Sequence, residues 1–449
     1  MKLPALLLIS VSAAGVFAQD TTNTGVPNTT ATGPNRIVSL ASSFFEHDYF
    51  NYYAYGNGVY DSYAPIVQNG QTVNNGGTGF AVGGGVDLYH SFRDGHISLD
   101  YRGDYRDYQS TAFTSGSDQN LSLGFSKRLS RRWSLAWYAS SGVFFYGGTL
   151  YPTQAAGTSN ATTNPNSVIP NPFSDETRWL GTGVSLAYRQ TRRLSYIFSG
   201  DFYLQRYSFP GAIGTTGGSG GVGVAYQLTP RTHISGNYGH SYFVYTQNVG
   251  NSSFDWLGGT VSHTFASHWS AAVSAGVTRT DSTGVIEEPV TLLVQQGSTQ
   301  EPIAGFVLGH FSRVAHVPTL SGSVSHYYRH SILAVSAGQG VTGTGNGYYL
   351  ASRNEYVSGV FSHSLEHNSN FGVGGGIYRL SSVANTVSNS YTTAYFSASY
   401  GRMLVHKLGT FVRYEFVHYG AVGTVAGTSD NRISYGFNYS SKSIPMTLY

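Results

Sequence analysis

The stretch RWLGTGVSLAYRQTRRLSYIFSGDFYLQ, Arg178–Gln205, decides the fold. Leu180, Val184, Leu186 and Tyr188 share one parity, which Leu194, Tyr196, Phe198, Phe202 and Leu204 continue beyond a tight turn. Gly181, Gly183, Ser185, Ala187 and Arg189 occupy the other parity, followed by Ser195, Ser199, Asp201, Tyr203 and Gln205. Thr182, Ile197 and Gly200 interrupt the alternation. Successive strand side chains point to opposite faces, so this is a hairpin with one oily and one polar face. The polar face is mostly Gly, Ser and Asn with charges, and the pattern recurs almost to the C-terminus. A sheet closed around water and bathed in lipid has these two faces. The stretch therefore predicts an all-β fold: a transmembrane antiparallel up-and-down β-barrel.

Composition points the same way. Of 449 residues only 10% are charged, against roughly a quarter in ordinary soluble domains, while 14% are aromatic and 57 are Gly. Thirty-five Tyr outnumber the 25 Lys and Arg together. Tyr suits strands and membrane boundaries, with its ring in the apolar layer and its hydroxyl in water. The formal charge of +3 is too small and too dispersed for a nucleic-acid partner. With no Cys, thiolate catalysis, disulfide scaffolds and Cys-ligated metal centres are excluded.

The first residues read as a secretory signal. Lys2 gives the positive start, Leu3 to Val16 is mostly apolar, and Val16-Phe17-Ala18 precedes a cut at Gln19. Residues 1–18 are thus expected to be a signal peptide and 19–36 a Thr/Asn/Pro/Gly-rich, disordered periplasmic leader. The barrel is expected to occupy 37–449.

Short turns divide it. They fall at Arg93-Asp94-Gly95, Ser130-Arg131-Arg132, Thr191-Arg192-Arg193, Thr229-Pro230-Arg231, Ala266-Ser267-His268, Tyr328-Arg329-His330, Glu366-His367-Asn368-Ser369 and Val405-His406-Lys407. The alternate connections are longer, at about 64–77, 147–175, 282–317, 340–348, 382–390 and 421–430. Short periplasmic turns opposite long extracellular loops are the outer-membrane arrangement. With one strand added at each end (near Tyr49–Tyr60 and at Arg432–Tyr439), the count is about eighteen strands, sixteen being the alternative. Segment 282–317 stays open: Val290–Val294 and Phe306–Leu308 fit either loop structure or an extra hairpin.

The polar parity carries the candidate site. In the third strand Asp100, Arg102, Asp104 and Arg106 alternate with Ile97, Leu99, Tyr101 and Tyr105, and near the C-terminus Arg413 and Glu415 alternate with Val412, Tyr414 and Phe416. Arg189 and Asp201 share the inner parity of their hairpin. An Arg facing lipid at the midplane costs about 2–4 kcal/mol, so these eight residues are expected to line the lumen. Two readings share them: a transverse field that filters solutes by charge, or opposite charges that pair on a wetted wall and hold register. Their alternation argues against strong selectivity for either sign.

Other residues carry less. Trp133, Trp137, Trp179, Trp256 and Trp269 lie near strand ends and read as an interfacial girdle. His326 and His330, or His363 and His367, are four apart but bracket turns rather than a helix, so no metal site is expected. The Gly-rich runs at 83–85, 217–223 and 372–376 precede no helix; they read as small lumen-facing or bend positions, not phosphate loops. No Ser–His spacing singles out a catalytic pair, so no enzyme and no cofactor are expected.

Asn120–Leu135, with its strand–turn–strand pattern, resembles outer-membrane β-barrel proteins of Gram-negative bacteria, porin-like in kind. Ile433–Tyr439 resembles the terminal strand that the barrel-assembly machinery recognises. Two departures stand out: about ten residues including Pro445 follow that strand, with Tyr449 among them, and the residues before the barrel read as neither a plug nor a TonB-box-like leader, so neither is expected. The resemblance implies a place in the cell outer membrane among lipid and lipopolysaccharide, and passive transport of small hydrophilic solutes or a structural role. A non-conducting barrel serving envelope architecture or polysaccharide export is the alternative, and a secreted soluble β-protein is a third.

Overall fold

The computed structural model describes residues 49–62, 66–68, 71–73, 76–109, 115–145, 176–208, 212–265, 268–296, 299–328, 330–343, 350–365, 369–383, 390–405, 407–420 and 428–440. The expected signal (1–18), leader (19–36), the whole of loop 147–175, parts of loops 64–77, 340–348, 382–390 and 421–430, and the residues after Ser440 lie outside them.

In chain order the strands are β1 (Tyr49–Asp61), the short β2 (Ile66–Gln68) and β3 (Gln71–Val73), β4 (Gly77–Phe92), β5 (Gly95–Tyr108) and β6 (Gly116–Arg128). Then come β7 (Trp133–Phe145), β8 (Glu176–Arg189), β9 (Leu194–Tyr207), β10 (Thr215–Thr229), β11 (Thr232–Tyr245), β12 (Gly250–Thr264) and β13 (Trp269–Gln296). The chain continues with β14 (Thr299–Tyr328), β15 (Ser331–Thr342), β16 (Ser352–Leu365), β17 (Ser369–Ser382), β18 (Ser390–Val405), β19 (Leu408–Tyr419) and β20 (Thr428–Ser440). β2 and β3 pair only with each other; the other strands form one 18-stranded sheet. Each pairs antiparallel with its sequence neighbours, and β1 pairs with both β4 and β20. The sheet is therefore closed. Closure leaves no edge of unpaired N–H and C=O groups, which is the condition for strands to cross hydrocarbon.

All eight short turns of the sequence reading fall between consecutive strands at one end of the barrel, though 266–267, 329, 366–368 and 406 lie outside the described residues. At the other end the chain also makes three short connections that the reading passed over: β5 to β6, β9 to β10 and β11 to β12. The last is a 3-10 turn, Thr246–Asn248, with Gln247 and Asn248 at φ of 62° and 54°. Segment 282–317 is neither a loop nor an added hairpin of the barrel. It prolongs β13 and β14, which stay in register from Trp269↔His326 up to Gln296↔Thr299. Beyond Gly284 the neighbour β12 has ended, and β15 begins pairing only at Leu320, so a two-stranded ribbon projects from that end.

Face assignment follows the parity of the opening hairpin. On β8 Leu180 and Val184 are exposed on the convex side while Thr177, Trp179, Ser185 and Ala187 are buried on the inner side. The convex side also changes character along each strand. On β13 Trp269, Ala271, Val273, Ala275 and Val277 give way to Arg279 and Asp281; on β9 Leu194, Tyr196, Phe198, Phe202 and Leu204 give way to Arg206; on β16 Leu365, Phe361 and Val357 give way to Glu355 and Arg353. An apolar run of about ten residues, tilted near 45°, spans about 20–25 Å, the height of a hydrocarbon band.

Candidate functional site

The inner wall across β19, β20, β1, β4, β5 and β6 concentrates the charge. Within β5, Arg102 donates from Nε and Nη2 to the two carboxylate oxygens of Asp100 at 3.1 and 2.9 Å. Arg106 Nη2 lies 3.7 Å from Asp104 Oδ2. Residues two apart on a strand share a face, so each Asp–Arg step forms an ion pair along the wall. On β19 Arg413 pairs with Glu415 in the same way.

A second layer crosses strands. Glu415 stands opposite Arg432 on β20, and Arg432 stands opposite Asp61 on β1. Arg432 Nε donates to Asp61, Tyr108 of β5 donates its hydroxyl to the same carboxylate, and Arg432 Nη1 lies 3.9 Å from Glu415 Oε2. Asp61 and Arg432 are almost wholly shielded, at 0% and 3% side-chain exposure. Asp87 stands opposite Asp100 and Asp118 opposite Asp104.

Glycines make room for this layer. β4 presents Gly83 and Gly85 to the lumen between β1 and β5. A Cβ at Gly83 would lie 2.6 Å from the Tyr55 ring, and one at Gly85 would lie 2.6 Å from the Tyr53 ring. The two tyrosines therefore lie flat on the wall rather than across the pore. The reading of 83–85 as small lumen positions describes Gly83 and Gly85; Gly84 is on the outer parity.

Six of the eight predicted residues, Asp100, Arg102, Asp104, Arg106, Arg413 and Glu415, meet on this wall. Two do not. Asp201 sits on β9, accepting from Tyr138 Oη at 2.8 Å and Ser219 Oγ at 3.1 Å. Arg189 is half-buried on the inner parity of β8, at its turn end. The sequence reading omitted Asp61, Asp87, Tyr108, Asp118, Asp430 and Arg432. Parity marks Arg432, opposite in phase to Ile433, Tyr435 and Phe437, but its partners become evident only when the sheet closes.

Across the lumen lies an apolar patch. Tyr203, Phe243, Tyr245, Phe254, Val317, Val341, Leu350, Ala351 and Val383 form one buried cluster. Phe243 and Phe254 meet edge to face at 5.6 Å. Tyr245 Oη donates to the carbonyl of Gly343 at 2.9 Å and contacts that of Leu350, which ties both ends of the β15–β16 connection inward.

Two members of the expected tryptophan girdle face inward instead. Trp179 is buried and covers Gly142, while Trp256 lies over Gly239, where a Cβ would be 1.9 Å from its ring. Trp133, Trp137 and Trp269 are exposed on the convex side. Each inward ring needs a glycine opposite, so parity outweighs nearness to a strand end.

No protein-family model matches the chain, and no curated protein matches it in sequence. Among solved structures the chain is similar to OpdQ of Pseudomonas aeruginosa, at 10% identity over 88% of this chain and 97% of that one, with a TM-score of 0.37. It is likewise similar to the outer membrane protein OpdK of Pseudomonas aeruginosa, at 10% identity over 87% and 98%, TM-score 0.39. A BenF-like porin from Pseudomonas fluorescens Pf-5 is 11% identical over 88% and 99%, TM-score 0.41.

Proposed function

We propose that the chain is an outer-membrane, porin-like channel that passes small hydrophilic solutes without catalysis. One observation carries the reading: in a closed 18-stranded sheet the polar parity faces inward and the apolar parity outward. A barrel of about eighteen strands encloses more room than wall side chains fill, so its centre holds water. The charged wall would then face the solute path. It contains seven carboxylates (Asp61, Asp87, Asp100, Asp104, Asp118, Glu415, Asp430) against four guanidiniums (Arg102, Arg106, Arg413, Arg432), most of them buried against one another. The excess of negative charge favours cations modestly, since most charges are already paired.

The non-conducting alternative draws support from the buried apolar cluster around Tyr245, on the inner wall at the end opposite the eight short turns. Planar-bilayer recording of the purified barrel separates the two. Stepwise currents whose reversal potential in a salt gradient has the cation sign support the channel. Silent bilayers with correctly folded protein contradict it.

A further inference from the structure

Three successive periplasmic turns share a construction that transport does not use. In Ser130-Arg131-Arg132 the Ser130 hydroxyl accepts from the N–H groups of Arg132 and Trp133 at 3.2 and 3.1 Å. In Thr191-Arg192-Arg193 the Thr191 hydroxyl accepts from Arg193 and Leu194 at 3.2 and 3.0 Å. In Thr229-Pro230-Arg231 the Thr229 hydroxyl accepts from Arg231 at 3.2 Å. The hydroxyl satisfies the tip of the turn and leaves the arginines in solvent. Arg131, Arg132, Arg192, Arg193 and Arg231 are all exposed, as are Arg93 in the preceding turn, Arg93-Asp94-Gly95, and Lys127 and Arg128 at the end of β6. Among the described residues of these four turns the one acid is Asp94, which accepts from Arg128 at 2.8 Å. That bond holds the Asp94 carboxyl below its ordinary range, so it stays ionised and occupies Arg128 alone.

Neighbouring turns are two strands apart, about 10 Å, close to one Debye length at physiological salt, so their fields overlap. The cations also have an aromatic base. Arg132 Nη1 reaches the Tyr188 hydroxyl at 3.4 Å; Tyr188 packs on Trp133 at 4.7 Å between ring centroids and stacks toward Tyr196 at 6.4 Å. All three rings lie on the lipid-facing parity. Guanidinium groups at the edge of an interfacial aromatic patch match a phosphate joined to an acyl chain.

We propose that the turns β6–β7 and β8–β9 form a binding site for the phosphate headgroup of an anionic phospholipid in the periplasmic leaflet. Arg131, Arg132, Arg192 and Arg193 hold the phosphate, and the Trp133–Tyr188–Tyr196 surface lies along the chains below it. A soluble polyanion would need no aromatic surface at membrane depth. The arginine pairs set these turns apart: among the other described residues of this rim, Arg402 and Lys407 are exposed without an adjacent arginine.

The test is native mass spectrometry of the folded barrel released from micelles doped equally with phosphatidylglycerol and phosphatidylcholine. Wild type, and the control R402Q/K407Q, should retain phosphatidylglycerol over phosphatidylcholine by about tenfold, a modest share of what four basic side chains offer at a charged surface. R131Q/R132Q/R192Q/R193Q should lose that preference while keeping heat-modifiable migration; if it does not fold, the two double variants should each lose part of it. Equal retention of both lipids by wild type overturns the proposal, as does preference that survives in the variants or falls equally in the control. Displacement of the lipid by soluble polyglutamate or glycerol phosphate also overturns it, and assigns the turns to a soluble anion. Conductance plays no part in any outcome.

Discussion

Asp61 and Arg432, 371 residues apart in sequence, form the ion pair that joins the first barrel strand to the last. Both are shielded from solvent, with Glu415 on the adjacent β19 and Tyr108 reaching across from β5. A buried charge stripped of its partner is expensive, by about 3–5 kcal/mol, whereas removing both partners costs far less. Asp61→Asn should therefore lower the urea midpoint of folded-band migration markedly. Asp61→Asn combined with Arg432→Gln should recover part of the loss. If the single and double variants unfold alike and close to wild type, the pair contributes nothing to closure.

That pair also marks how far the residues alone lead. A count of about eighteen strands, with sixteen the alternative, follows from the eight tight turns. Strand faces follow from the period of two, because a one-residue slip would turn every apolar side chain into the lumen. The wall charges within one strand, Asp100 to Arg106, follow from the same rule. Partners across the seam do not, since Asp61 and Arg432 meet only after the sheet closes. Nearness to strand ends puts Trp179 and Trp256 in the girdle, yet each obeys parity and lies over a glycine. Segment 282–317 obscured its strands because Pro289 and Pro302 interrupt runs that otherwise pair in unbroken register.

The flat tyrosines depend on missing side chains. At Gly83 and Gly85 a new Cβ would meet Tyr55 and Tyr53 rings at 2.6 Å, whereas nothing lies within 4 Å at Gly58. Gly83→Ala and Gly85→Ala should each destabilise the barrel by about 1–3 kcal/mol, the usual cost of overpacking. Gly58→Ala should be near neutral. Heat-modifiable migration in a temperature series measures all three, and equal shifts would remove the glycines from the account.

Charge on the wall should register in selectivity. Arg102 and Arg106 are the guanidiniums of β5, and neutralising them leaves Asp87, Asp100, Asp104 and Asp118 nearby. Arg102→Gln with Arg106→Gln should shift the reversal potential further toward cations, and less so at high salt because screening shortens the field. A reversal potential that does not move would place this wall away from the solute path.

The central claim is that the apolar parity touches acyl chains while the polar parity encloses water. The chain has no Cys, so single cysteines introduced at Val184, Ser195, Phe198 and Ser199 report it without background. In lipid vesicles a water-soluble maleimide should label Ser195→Cys and Ser199→Cys, both half-buried on the inner parity. Bimane probes at Val184→Cys and Phe198→Cys should be quenched by brominated acyl chains. Labelling that ignores parity, or outer positions that brominated lipid leaves unquenched, would contradict a barrel bathed in lipid.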